Sequence, residues 1–238
     1  MTPSFSHADW FRSRLVVLSD RRPAPGDART ELEVAIEAAL REHDGVWLGR
    51  HATAQLDLEQ ELEEADAGAG ALGRWSVLDE AAARPDAAMD GWAVYVRANA
   101  AYAEQILESI SPDGAVWING SRWLLVAPAL RQLGHRGPIG LVLDVPFPAP
   151  GRLEALPWHG DVIAALCELD LVGFRTPACA ERFEACCART GRRDRPRIGG
   201  SPGESASASH GALPGWVPSF LQLLAGPGRG ARRGELTA

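Results

Sequence analysis

The sequence contains no lysine: all 24 of its basic residues are arginine. That excludes a Schiff-base lysine and a lysine phosphate clamp. Cysteine is scarce too. Cys167, Cys179, Cys186 and Cys187 fall in helix-like segments without the paired spacing of a zinc site, and read as buried, inert thiols. No apolar run approaches the ~20 residues of a membrane span. The opening stretch, MTPSFSHADWFRSR, lacks the apolar core of a signal peptide. A cytoplasmic protein with no membrane partner is expected. With a net charge of -7 the chain lacks the basic excess that nucleic-acid binding needs. No metal motif, phosphate-binding glycine fingerprint or Ser-His-Asp spacing is visible, so no metal and no cofactor are expected.

What is present, 238 residues of which 46% are hydrophobic, suffices for a substantial core. Ile139 to Pro150, IGLVLDVPFPAP, is a short apolar run stopped by one carboxylate and three prolines. It fits a buried parallel strand over Ile139–Val145, with Asp144 at the carboxyl end, where open α/β sheets keep their ligand crevices. RLVVLS, Arg14–Ser19, predicts another strand leading into an Asp20–Pro23 turn. Leu32, Ile36 and Leu40 recur at helical spacing, and Thr30 with Glu33 is a capping-box pair, so a helix starts at Thr30.

Val46–Leu48 reads as a strand, and residues 57–91 as weakly ordered surface with a short strand over Trp75–Leu78. Trp92, Val96, Ala103, Leu107 and Ile110 mark a long amphipathic helix that ends before Pro112. Then follow a strand at Ala115–Ile118, a helix at Trp123–Leu133 closed by Gly134, and a helix at Asp161–Leu169. A strand at Leu171–Phe174 and a helix at Pro177–Arg189 complete the regular part. His135 and His159 read as exposed loop residues. This alternation predicts right-handed βαβ units and a parallel sheet covered on both faces.

Several segments resemble the N-terminal half of trehalose-6-phosphate synthase, the family 20 retaining glycosyltransferases. Leu15–Arg21 is similar to "VVVSNR", Val116–Gly120 stands in the place of "WIHD", and Ile139–Pro148 in that of "GFFLHIPFP". Leu166–Thr176 resembles "LL..DLIGFQT", and Trp92, Tyr95, Arg97 and Asn99 fit a "W.GY.RVN" helix. The resemblance implies an α/β fold with a single Rossmann-like, doubly wound parallel sheet, the acceptor half of a two-Rossmann-domain enzyme. Its expected organisation is an extension over 1–13, the acceptor domain over 14–190 and a linker over 191–215. A crossover helix over 216–224 and a disordered tail over 225–238 follow, the donor domain being absent.

The resemblance also implies site residues. Arg21 stands in the place of the arginine that meets the acceptor phosphate, or else pairs with Asp20. The paired glycines that admit the donor diphosphate fall on Thr30 and Glu31, whose side chains and charge oppose it. The "HDYH" element becomes Asn119, Gly120, Ser121 and Arg122, and the histidine of the central strand becomes Asp144. For Asp144 a structural role, a carboxylate pair with Asp20, and a metal shared with Asn119 all stay open. The expected substrate-binding residues are Arg21, Asn119, Ser121, Arg122 and Asp144, with no catalytic residue assigned. The expected function is that of a pseudo-glycosyltransferase binding a sugar phosphate, a partner protein or a second copy. The alternative is the acceptor half of a split enzyme using UDP-glucose and glucose 6-phosphate.

Overall fold

The structure is a computed structural model, and it describes residues 13–20, 27–49, 85–143, 145–174, 176–192 and 196–199. Its centre is a six-stranded, all-parallel sheet in the order β2-β1-β3-β4-β5-β6. The strands are β1 (Ser13–Ser19), β2 (Val46–Leu48), β3 (Ile110–Asn119), β4 (Ile139–Leu143), β5 (Leu171–Phe174) and β6 (Arg197–Gly199). Between them run α1 (Glu31–Glu42), α2 (Pro85–Ser109), α3 (Val126–Gln132), α4 (Pro150–Glu154), α5 (His159–Cys167) and α6 (Pro177–Arg189).

Strand periodicity sends alternate residues to opposite faces, and β1 shows it directly. Val16 and Leu18 join the larger core beneath α2, α3, α5 and α6, whereas Leu15 and Val17 join the smaller one with Ile36 and Ala39 of α1. Both faces are therefore apolar and covered, as the doubly wound reading requires. All five residues of β4 are buried between β3 and β5.

The helix starts follow local chemistry. Thr30 caps α1 with a complete capping box, a device worth about 1 kcal/mol. Thr176 caps α6, with Pro177 at its first turn, where a missing N–H costs nothing. At the other end of α3, Gly134 sits at φ 91°, a left-handed turn that glycine makes without strain.

Several expectations need correction. The long helix begins at Pro85, inside the span read as surface loop, because a Pro at a first turn starts a helix as readily as it punctuates a loop. β3 extends back to Ile110 through Ser111–Gly114. Before α3 the chain makes a separate 3-10 turn, Ser121–Trp123. The span 191–215, read as linker, carries β6, a three-residue strand whose pairing with β5 no sequence period could reveal. The expected strand at Trp75–Leu78 and the helix at 216–224 lie outside the described residues, as does the tail at 225–238. The four cysteines are buried thiols outside any disulfide, with the Sγ atoms of Cys167 and Cys187 3.9 Å apart. No helix among the described residues is long and apolar enough to cross a membrane.

Candidate functional site

In a doubly wound sheet the crevice opens where strand order reverses, beyond the carboxyl ends of the strands. Here that point lies between β1 and β3, because the chain leaves β1 toward β2 on one side and returns to β3 on the other. Asp20 follows β1 there, and Asn119 to Arg122 close β3. Three of the five expected binding residues, Asn119, Ser121 and Arg122, thus share one turn at the switch point. Arg21 and Asp144 lie outside the described residues.

The turn is held rigidly from below by α2. Tyr95 Oη donates to the Ser121 carbonyl at 2.8 Å and accepts from the Leu124 N–H at 3.0 Å. Asn99 Nδ2 donates to the carbonyls of Tyr95 (2.9 Å) and Arg122 (3.1 Å), while its Oδ1 accepts from the Leu125 N–H at 3.0 Å. Both side chains are buried, and they satisfy backbone groups that a short 3-10 turn leaves over. Trp92 stacks on Tyr95 and on Trp158, with centroids 5.3 and 5.1 Å away. Neighbouring strands fix the rest: the Gly120 N–H donates to the Val142 carbonyl at 2.9 Å, and Trp47 Nε1–H to Ser19 Oγ at 2.7 Å.

Tyr95 and Asn99 were visible only as letters of the helix motif, since their partners in the turn lie 23 to 29 residues away. Replacing Tyr95 with Phe should cost about 1–3 kcal/mol by leaving the Leu124 N–H and Ser121 carbonyl without this partner. Urea unfolding would measure the loss, and faster amide exchange at Leu124 would locate it in the turn.

Gly120 adopts φ 105° and ψ 158°, a region open essentially to glycine alone. An aspartate cannot take this place without moving the turn. The charges are paired across the crevice: Arg122 Nε lies 3.2 Å from Asp20 Oδ1, and the guanidinium sits 5.9 Å from the centroid of the Trp123 ring. Asp20 meets Arg122, because the parallel pairing of β1 with β3 sets Ser19 level with Asn119, while the expected partners Arg21 and Asp144 lie outside the described residues. Asn119 Oδ1 is shielded from solvent and has no hydrogen-bond partner. Among the described residues no group of three or more His, Cys, Asp or Glu could hold a metal.

The two histidines read as exposed loop residues, His135 and His159, are not exposed. His135 is 4% accessible, and His159, half-buried at the start of α5, donates from Nδ1–H to the Leu156 carbonyl at 2.8 Å.

A model of glycosyltransferase family 20 matches residues 77–204, more than half of the chain. The chain belongs to that family. Trehalose-6-phosphate synthase of Klebsiella pneumoniae subsp. pneumoniae is 32% identical over 194 residues, covering 72% of this chain and 41% of its own length. In crystal structures, the α,α-trehalose-phosphate synthase (UDP-forming) of Burkholderia vietnamiensis superposes with a TM-score of 0.64 at 27% identity, over 80% of this chain and 50% of that one. The Burkholderia xenovorans synthase in complex with glucose-6-phosphate gives 0.56 at 25% identity, over 73% and 42%. The chain therefore spans about half the length of these family 20 relatives, in the Rossmann-like fold that they share.

Proposed function

We propose that this family 20 domain binds a sugar phosphate in the β1/β3 crevice and does not itself transfer a sugar. The observation that carries the non-catalytic half is the cap of α1. Transfer from a nucleotide sugar requires backbone donors and fixed positive charge where the diphosphate leaves. At α1 the Glu33 N–H donates to Thr30 Oγ1 at 3.2 Å, and the Thr30 N–H donates to Glu33 Oε2 at 2.7 Å. Two of the donors at this helix start, the Thr30 and Glu33 N–H groups, are thus engaged, and a carboxylate occupies its positive end. A diphosphate arriving there meets like charge and side chains in place of open backbone.

Two features support binding at the crevice. Asn119 Oδ1 lacks a donor that a sugar hydroxyl would supply, and Arg122 offers a guanidinium suited to a phosphate. The glucose-6-phosphate complex of the Burkholderia xenovorans synthase names the first ligand to try.

The test is calorimetric titration of the full chain with glucose 6-phosphate and with UDP-glucose, together with an assay for UDP release when both are present. Binding of the sugar phosphate alone, without UDP release, is expected. Release of UDP above background would overturn the non-catalytic reading, and absence of glucose 6-phosphate binding would overturn the binding reading.

A further inference from the structure

The ion pair at the crevice joins unequal partners. The Arg122 side chain is 11% exposed and that of Asp20 59%. Arg122 is fixed by the Trp123 ring beside its guanidinium and by the bond from Asn99 Nδ2 to its carbonyl. Asp20, just past the end of β1, is the solvent-facing member of the pair, with open water on its outer side to turn into. A phosphate monoester brings nearly two negative charges and three acceptor oxygens to a guanidinium that the carboxylate serves with one charge.

We infer that Asp20 is a built-in competitor for the anion site on Arg122: its carboxylate pairs with the guanidinium across the strand ends, and a phosphate monoester takes that place by displacing Asp20 into solvent. A second feature points to a ligand at the same strand end. Asn119 Oδ1, buried and without a partner, calls for a hydroxyl donor, so the ligand class is a phosphate monoester that also carries hydroxyl groups. Gly120 fits the arrangement. A Cβ built there would lie 3.9 Å from Asp20 Oδ2, so a carboxylate at 120 would stand against the one at 20. The glycine keeps a second side chain away from the Asp20–Arg122 pair.

The inference rests on the sugar-phosphate reading only for the organic part of the ligand, and inorganic phosphate probes the gate separately. Asp20→Asn and Asp20→Ser, each in the full chain, would be titrated with inorganic phosphate and with glucose 6-phosphate at physiological ionic strength. Both variants should bind each phosphate about tenfold more tightly than the parent, and adding Arg122→Ala to Asp20→Asn should abolish the gain. Equal affinities for parent and variants would overturn the gate, as would a gain that survives Arg122→Ala or binding by none of the proteins. Tighter phosphate binding by the variants beside a parent indifferent to glucose 6-phosphate would uphold the gate and sink the sugar-phosphate reading. Firm parent binding without any gain would do the reverse.

Discussion

Replacing Asp170 with Ala is expected to destabilise the fold by about 3–5 kcal/mol, the usual cost of breaking a buried, hydrogen-bonded ion pair from one side. Asp170 precedes β5 and its side chain is 2% exposed, whereas that of Arg131, at the end of α3, is 18% exposed. Asp170 Oδ2 accepts from Arg131 Nη2 at 2.8 Å and from the Ile139 N–H at 2.9 Å. The Asp170 N–H donates to the Ile139 carbonyl, and its carbonyl accepts from Arg197 N–H, both at 2.9 Å. One residue thus ties the amino ends of β4, β5 and β6 together. Alanine would leave the guanidinium without its buried counter-charge and the Ile139 N–H without its acceptor. Asp170→Asn keeps an oxygen for Ile139 and should lose less. Replacing both partners with apolar residues, Arg131→Met with Asp170→Leu, should recover the part of the loss that comes from the stranded charge, while the Ile139 N–H and the His135 and Gly137 carbonyls stay without these partners. Urea unfolding of the four proteins measures all of this. A loss below about 1 kcal/mol for Asp170→Ala would mean that Arg131 finds solvent and that the pair behaves as a surface bridge.

The amino ends of the strands thus hold a network whose work is stability, whereas the carboxyl ends hold the crevice with its exposed carboxylate and orphaned amide oxygen. How much of each was legible in the sequence follows from the range of the interactions. The Thr30–Glu33 box spans three residues and could be read outright, as could the apolar run of β1 and the helix over Pro177–Arg189. Asn119, Ser121 and Arg122 were marked through motif positions, and the structure sets them together at the carboxyl end of β3. Their contacts were not legible. Arg122 meets an aspartate just past a strand, 102 positions earlier, and Arg131 meets one just before a strand, 39 positions later. Such pairs are set by parallel register, which no local period encodes. β6 fails for the same reason: three residues become a strand only because β5 offers them an edge.

The residue most misread from sequence, His135, should dominate the acid sensitivity of the fold. Next to Gly134 it has the look of a loop histidine, yet it is 4% exposed, and neither ring nitrogen has a hydrogen-bond partner. Burial, then the nearby Arg131 charge, lower its pKa from 6.5 to about 4, with Asp113 opposing. Between those two values the unfolded chain binds a proton that the folded one refuses, so stability is full above pH 6.5 and falls as the pH drops toward 4. The shift corresponds to about 3 kcal/mol across that window, at 1.36 kcal/mol per pH unit. His135→Leu removes the titrating group and two unpaired polar atoms together. It should hold or raise stability at pH 7, because an apolar side chain replaces groups that burial penalises. It should also flatten the curve between pH 6.5 and 4. Carboxylates that titrate in the same range act on both proteins, so the difference between the two stability curves isolates the histidine. Parallel curves would show that His135 takes up its proton inside the fold at no cost, through water reaching the ring.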